Sequence, residues 1–233
     1  MCGRFAFYSP AEASAALFGV SGSLDVEPRY NIAPTQYIPA VRTTDDATGE
    51  QPSRELVMLR WGLVPFWAKD PAIGNRMINA RAETVAEKPA FRAAYRRRRC
   101  VVLADGFYEW HREGSVKIPY YISLASGKPF GFAALWEHWQ DKDSQDKESS
   151  NSLQTATLIT TAANDFLGSL HHRMPVILEP DRAELWLAGD ENMLETAVQD
   201  CPSLKAWPVD RRVNNARNEG EDLIVPDGDV LEG

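Results

Sequence analysis

The sequence predicts an α+β fold in which a mostly antiparallel, barrel-like β-sheet carries short peripheral helices. Short strand-like runs recur along the chain, and only isolated short helical patterns interrupt them. The chain has 233 residues, of which 44% are hydrophobic, so it can bury a full core. It shows no internal repeat, and we expect a single domain that spans residues 1–233.

The first two elements are a strand and a helix. Phe5 and Phe7 alternate as the inward-facing residues of a strand would. Residues 9–12 combine an N-cap serine, a proline at the first helical position and a capping-box glutamate. This combination predicts a helix that runs to about Phe18.

The remaining elements follow from apolar runs and helical spacing. Strands are predicted at residues 37–41, 56–61, 100–104, 120–124, 130–136, 155–161 and 175–178. Helices are predicted at residues 89–98, 163–170, 181–187 and 191–199. Residues 140–152 contain almost no apolar side chain and are predicted to form a polar solvent loop, not a domain boundary.

The charge distribution limits the kind of partner. A net charge of −8 argues against indiscriminate binding to duplex DNA, because such affinity comes mainly from lysine and arginine. Acidic residues concentrate near residues 141–148 and in an acidic tail after Asn218, whereas arginines cluster in the middle of the chain. That cluster indicates either a locally positive surface or, for residues 96–99, a solvated helix end.

Several classes of protein are excluded by what the sequence lacks. It contains no run of about 18 apolar residues and no signal-peptide pattern, so we expect a cytoplasmic protein without a membrane segment. The three cysteines lie far apart, and the four histidines show no metal-ligand spacing with them. We therefore expect no disulfide and no metal site. We also expect that the protein has no cofactor and is a monomer.

Cys2 is the most distinctive candidate for chemistry. Removal of Met1 would leave its α-amine and thiol on adjacent carbons, as a 1,2-aminothiol. The amine of such a group condenses with an aldehyde to an imine, and the thiol can then close a thiazolidine ring. Reference pKa values of about 8 and about 8.5 leave a minority of both nucleophiles at neutral pH. The alternative is a cysteine at this position by chance.

Four further segments place functional groups in otherwise apolar surroundings, and the first two contain Asn79 and Glu109. If residues 77–84 are extended, Asn79, Arg81 and Glu83 share one face, where Arg81 could grip a phosphate with Glu83 orienting it. The alternative is a buried pair of Arg81 and Glu83, with Asn79 as a turn residue. Glu109 lies between two aromatic residues, which predicts a raised pKa and a role as general acid or base.

The other two candidate segments offer a titrating group and stacking surfaces. His171 titrates in a useful range, and Arg173 adds a guanidinium for phosphate, although a lone histidine is commonly a cap or core residue. Residues 61–67 place aromatics beside glycine and proline in a rigid loop. We expect Trp61 in the core, and Phe66 and Trp67 exposed to stack on bases.

Taken together, these segments resemble the SRAP family, the SOS-response-associated peptidases or abasic-site processing proteins. The resemblance covers nearly the whole chain. It rests on six ordered motifs: MCGRF at 1–5, RYNIAPT at 29–35, WGLVP at 61–65, NARAET at 79–84, DGFYEW at 105–110 and HHRMP at 171–175. Phe66 departs from the tryptophan of some members, which weakens the inference about that position.

The resemblance implies a protein that crosslinks itself to abasic sites in single-stranded DNA, including sites at junctions. Cys2 would be the nucleophile, Asn79 would position the sugar, Glu109 would shuttle protons and His171 would assist ring opening. The phosphate ligands would be Arg4, Arg81 and Arg173.

Two alternatives remain. A thiol peptidase would use the Cys2 thiolate against an amide, with His171 and Glu109 as proton carriers, and its action could be limited to removing Met1. A binding module would recognise single-stranded DNA without any covalent chemistry. A peptidase needs the thiol but no free amine, a thiazolidine needs both, and a binding module needs neither.

Overall fold

A computed structural model describes residues 2–22, 24–44, 53–141, 152–190 and 192–233. Within these ranges the chain forms fourteen strands. They are β1 Phe5–Phe7, β2 Arg29–Ile32, β3 Tyr37–Thr43, β4 Arg54–Trp61, β5 Asn79–Arg81, β6 Arg99–Ala104, β7 Gly106–Glu113, β8 Val116–Leu124, β9 Phe130–Gln140, β10 Ser152–Ala162, β11 Arg173–Pro175, β12 Ile177–Leu178, β13 Leu204–Pro208 and β14 Leu231–Glu232.

Five of these strands close into a barrel. Their order is β10, β4, β3, β6 and β9, and β9 pairs back onto β10. All of these pairs are antiparallel except β10 with β4. A second sheet, in the order β14, β13, β8, β7, β1 and β2, is antiparallel throughout. The predicted fold class is therefore confirmed.

The N-terminal strand joins the two sheets through its aromatic side chains. β1 belongs to the second sheet, yet the Phe5 ring lies edge-on to Trp61 and to Phe132 of the barrel, with centroids 5.3 and 5.7 Å apart. All three side chains are buried, and Trp61 has the core position predicted for it. This packing draws the start of the chain into the interior, because burial of large aromatic surface stabilises the contact.

The helices are short and peripheral. They are α1 Ala11–Ala16, α2 Arg92–Arg97, α3 Asp165–Gly168 and α4 Pro180–Ala188. The helix after β1 exists, but its predicted serine cap is wrong: Ser9 donates its hydroxyl and its N–H to the Asp105 carboxylate. The predicted helix at 191–199 is also wrong. Its described residues form a 3₁₀ turn at Asn192–Leu194 followed by turns. The Arg182 Nη2 donates to the Met193 carbonyl, which in a helix would accept a main-chain N–H.

Only part of the arginine run at residues 96–99 forms the solvated helix end that was one of its two interpretations. Arg96 and Arg97 are exposed at the end of α2, as that alternative requires. Arg98 pairs with Glu137 at 2.7 Å. Arg99 is buried at the start of β6, with its guanidinium 4.4 Å from the ring centroids of both Tyr95 and Trp186.

The two predicted polar segments have different outcomes. Residues 142–151 of the predicted loop lie outside the described residues, while the strands on either side pair with each other, Gln140 opposite Ser152. The acidic segment after Asn218 packs on the second sheet: Leu223 is buried, and β14 pairs with β13. In the described part of the chain, no helix is both long and apolar enough to cross a bilayer.

Candidate active site

Cys2 lies in the interior, immediately before β1. Its side chain is fully buried, and the next residues are fixed to β7 by a hydrogen bond from the Tyr108 N–H to the Arg4 carbonyl, 2.9 Å. Burial raises the pKa of the Cys2 thiol well above its usual range, and the nearby Glu109 carboxylate raises it further. The thiol is therefore protonated near neutral pH.

Asn79 contacts the main chain of Cys2. The strand β5 pairs in parallel with β10, with Asn79 opposite Leu158, and this pairing directs the Asn79 Nδ2 to the Cys2 carbonyl at 2.7 Å. The Asn79 Oδ1 is buried and accepts no hydrogen bond from any group that the structure describes. A buried amide oxygen of this kind is a ready acceptor for an amine or hydroxyl of a ligand.

Glu109 is the buried carboxyl of the site. It lies on β7 between Tyr108 and Trp110, opposite Tyr120 of β8, and only 4% of the residue is exposed. Burial raises the pKa of this carboxyl from 4.5 to about 7. The predicted shift is confirmed, and at neutral pH the group can both give and take a proton.

His171 approaches Glu109 from the other sheet. Its Nδ1 lies 3.9 Å from the Glu109 Oε2, 3.0 Å from the Arg173 carbonyl oxygen and 3.1 Å from the Arg173 main-chain nitrogen, so the ring can bond to the Arg173 main chain in either tautomer. Burial lowers the pKa of His171, so the imidazole is mainly neutral. The turn after α3 holds it, because the His171 N–H donates to the Leu167 carbonyl at 2.8 Å.

The three predicted phosphate ligands have different surroundings. Arg4 is half-buried, and its Nη1 donates to the Asn31 Oδ1 at 2.6 Å and to the Val213 carbonyl at 2.8 Å. The Arg81 side chain is exposed, and its guanidinium has no hydrogen bond or ion pair with another residue that the structure describes, while its main chain pairs with β10. Arg173 is held by both carboxylate oxygens of Glu83 and by the Thr160 carbonyl.

The prediction that Glu83 orients Arg81 is wrong, and so is its alternative of a buried pair between them. β5 ends at Arg81, and Ala82–Thr84 turns into a 3₁₀ segment, so the alternation of an extended chain stops before Glu83. The carboxylate instead pairs with Arg173. The guanidinium of Arg173 is thereby already neutralised, unlike those of Arg4 and Arg81.

The loop after β4 presents the two predicted aromatic residues to solvent. Phe66 is 48% exposed and Trp67 is 47% exposed. The loop is rigid where it begins: Gly62 has a φ of 124°, and a Cβ atom there would lie 2.5 Å from the Gly74 carbonyl oxygen. Beside Trp67 lies an open groove of about 360 Å³, which Lys69 and Arg76 also line.

Sequence reasoning assigned no role to two buried polar residues of the site. Asn31 in β2 and Asp105 before β7 both occur in motifs, but a single polar residue within a strand motif does not reveal its partner. Asp105 accepts the N–H groups of Tyr8 and Ser9 and so fixes the far end of β1. In the described ranges, no group of three or more His, Cys, Asp or Glu side chains is arranged to hold a metal ion.

Comparison with known proteins places this chain in a family. The family model for SOS response associated peptidases (SRAP) matches residues 1–216. The chain is 39% identical over 233 residues to the abasic site processing protein YoqW of Bacillus subtilis, covering 96% of this chain and 99% of that protein. It is 32% identical over 238 residues to the abasic site processing protein YedK of Escherichia coli, covering 97% and all of that protein.

The fold is also found among solved structures. A crystal structure of a protein from Bacteroides thetaiotaomicron superimposes with a TM-score of 0.80 at 24% identity, covering 97% of this chain and 99% of the other. At that identity the likeness concerns the fold alone. The sequence relatives and the family model together show that this chain belongs to the SRAP family.

Proposed function

We propose that this protein recognises abasic sites in single-stranded DNA, including sites at junctions, and shields them by a covalent thiazolidine crosslink through Cys2 once Met1 has been removed. One observation carries the proposal: a residue that can become an N-terminal aminothiol is buried beside a carboxyl with a pKa of about 7. The names of the relatives, abasic site processing proteins, support the choice of DNA lesion.

The first covalent step joins the Cys2 amine to the aldehyde of the open abasic sugar. Attack gives a carbinolamine, and protonated Glu109 donates to its hydroxyl, which leaves as water. The products are a protonated imine and the ionised Glu109. A carboxyl with a pKa near 7 suits this step, because it is protonated often enough to donate and is a strong enough acid to do so.

The second step closes the ring. The Cys2 thiol adds to the carbon of the protonated imine, and the ionised Glu109 takes the thiol proton, which gives the neutral thiazolidine and returns Glu109 to its protonated state. A carbon–sulfur bond forms, and the whole sequence releases one water without any oxidation. The raised pKa of the thiol favours this order, because the thiol stays protonated until the adjacent imine is formed.

Asn79 and His171 would orient the sugar. Asn79 fixes the Cys2 carbonyl and offers its unused Oδ1 to the amine or to a sugar hydroxyl. We assign His171 the proton transfer that opens the closed sugar and that reverses the adduct, because its neutral imidazole lies within 4 Å of Glu109.

The surrounding charges and rings would bind the strand. Arg4 and Arg81 carry guanidinium groups that lack a carboxylate partner in the described structure, so they suit phosphate. Arg173 would reach a phosphate only by exchanging Glu83 for it. Phe66 and Trp67 would stack on bases next to the lesion. We expect the protein to act as a cytoplasmic monomer that stays with the nucleoid while crosslinked.

Two observations argue against the alternative of a thiol peptidase. Such an enzyme requires a thiolate activated by a neighbouring base. The Cys2 pKa is raised, and among the described residues the sulfur contacts only the Arg4 carbonyl at hydrogen-bonding range, 3.8 Å. Removal of Met1 by the protein itself remains compatible with the crosslinking proposal as a step of maturation.

Denaturing gel electrophoresis tests the proposal. Single-stranded DNA with one abasic site is mixed with the Met1-processed protein, with a Met1-retaining variant and with Cys2→Ala. We expect a band shift that survives denaturation only in the processed wild type. Peptide cleavage without any shift would favour the peptidase, and binding without either activity would favour a non-covalent module.

A further inference from the structure

Asn31 is a fully buried polar residue that lies one strand away from Cys2. It belongs to β2, which pairs with β1 through Ile32 and Phe5. Its Oδ1 accepts the Arg4 Nη1 at 2.6 Å, and its Nδ2 faces the carbonyls of Asn215 and Asn218 at 3.0 and 2.9 Å. One side chain thus connects Arg4 to a segment more than 180 residues away.

That segment, residues 213–219, is here named the C-terminal clasp. Its Val213 carbonyl accepts the Arg4 Nη1 at 2.8 Å, and its Asn214 Oδ1 accepts the Trp110 Nε1 at 2.7 Å. Its last residue, Glu219, pairs with Arg29 and accepts the Tyr30 N–H at 2.9 Å. The clasp therefore covers β2 and contacts Arg4, which lies two residues after Cys2, and Trp110, which follows Glu109.

The chemistry of these contacts distinguishes Arg4 from Arg173, which is also partly buried. Arg173 is fixed by a carboxylate, which neutralises its charge. Arg4 is fixed by an amide oxygen and a backbone carbonyl, which are neutral and leave its charge for a ligand. An arginine side chain loses up to about 2 kcal/mol of rotamer entropy when it is ordered. Here the protein orders it before any ligand arrives, which removes that cost from binding.

We propose that Asn31 and the C-terminal clasp position Arg4 to bind a phosphate next to the abasic site. The inference rests on the proposed function for the identity of the ligand. Asn31 does not reach the reacting atoms and acts through Arg4. Three of the clasp residues, Arg217, Asn218 and Glu219, lie beyond the residues that the family model matches.

The salt dependence of DNA binding tests this role separately from crosslinking. The affinity for undamaged single-stranded DNA is measured across a series of salt concentrations for wild type, Arg4→Ala, Asn31→Ala and the double variant. Each lost phosphate contact lowers the slope of log affinity against log salt by about 0.7. Because Asn31 is uncharged, a merely structural role would leave that slope unchanged.

We expect Asn31→Ala to lower the slope by about as much as Arg4→Ala. The affinity of the double variant should be at most about twofold lower than that of Arg4→Ala. Asn31→Leu, which keeps the approximate shape of the side chain but removes its amide, should change the slope in the same direction. It keeps the test valid if Asn31→Ala does not fold. Arg182→Gln, which removes contacts at residues 193–200, is the structural control.

A wild-type slope in Asn31→Ala and in Asn31→Leu, or full additivity with Arg4→Ala, would overturn the positioning role. These outcomes are independent of the crosslink, because undamaged DNA offers no aldehyde. If wild type binds DNA with the expected slopes yet forms no adduct with abasic DNA, the proposed function fails and the positioning of Arg4 stands.

Discussion

At the scale of single residues, the balance between burial and reactivity is clearest at Glu109. A carboxyl in water ionises fully at neutral pH, whereas this one is removed from water by β7 and β8 and has a pKa of about 7. Such a group costs stability, because ionisation is favoured more strongly in the unfolded chain. The protein retains a destabilising residue at the point where proton transfer is proposed.

Glu109→Gln should change the pH dependence of crosslinking. Donation to the carbinolamine requires the protonated acid, so this contribution falls as pH rises through about 7. The Cys2 amine has the opposite pH dependence, because its unprotonated, nucleophilic fraction increases as pH rises towards about 8. We expect a bell-shaped profile of single-turnover rates in wild type, and slower rates with a rising limb only in Glu109→Gln. Equal profiles would remove Glu109 from the mechanism.

The same substitution should stabilise the fold. Between pH 4.5 and about 7 the carboxyl is neutral in the folded state and ionised in the unfolded chain, so wild type loses stability as pH rises. Glutamine avoids this loss, by about 3 kcal/mol at most above pH 7. Denaturant unfolding at about pH 8 should show the gain, and it should vanish at about pH 4. A gain of the same size at both pH values would contradict the cause.

His171→Gln should slow release of the adduct more than its formation. The imidazole Nδ1 lies 3.9 Å from Glu109, and we assign it the proton transfers of ring opening and reversal. Loss of a positioned acid–base group costs about 10²-fold or more in the step it serves. Release is measured by transfer to a competing aldehyde trap, and formation by single-turnover gels. Equal slowing of both steps would exclude the assigned role.

At the scale of elements, the loop after β4 combines a rigid base with an exposed tip. Trp61 is buried and donates its Nε1–H to the Ile78 carbonyl at 2.9 Å, while the Val64 N–H donates to the Thr155 hydroxyl at 2.9 Å. Phe66 and Trp67 follow directly and are about half exposed. Apolar rings are thus held in solvent by a fixed backbone, as stacking on a base requires.

Phe66→Ala and Trp67→Ala should weaken binding of single-stranded DNA by about 1–3 kcal/mol for each base that loses its stacking partner. Crosslinking at saturating DNA should be nearly unchanged, because neither residue is placed at the reacting atoms. Fluorescence anisotropy with an abasic oligonucleotide measures the affinity. Leu185→Ala, another exposed apolar residue, is the control. Affinities equal to that of the control would show that the loop does not stack on the strand.

Local elements also show what could be predicted from the sequence. Strand periodicity predicted most of the barrel, because β3, β4, β6 and β10 are continuous apolar or alternating runs. The helix caps and the partners of polar side chains could not be predicted in this way. Ser9 has a helix-cap sequence but bonds to Asp105, and Glu83 is two residues from Arg81 but bonds to Arg173. In both cases a distant residue competes successfully with the local partner.

At the scale of the whole molecule, the site depends on contacts between distant parts of the chain. Cys2 comes from the N-terminus, Asn79 from β5, Glu109 from β7 and His171 from the turn after α3. The parallel pairing of β5 with β10 and the closure of the barrel bring them together. Motifs predicted these residues as candidates, and their roles stay predictions, whereas the clasp that holds Arg4 is visible only in the folded chain.

The central claim is that both the amine and the thiol of Cys2 end in the adduct. The chain has three cysteines, and alkylation of the denatured free protein should therefore label all three. The most direct measurement is intact mass spectrometry of the purified adduct after the same alkylation. We expect a mass equal to protein plus DNA plus two labels minus one water, because only Cys100 and Cys201 keep a free thiol. A third label, on Cys2, would contradict the thiazolidine.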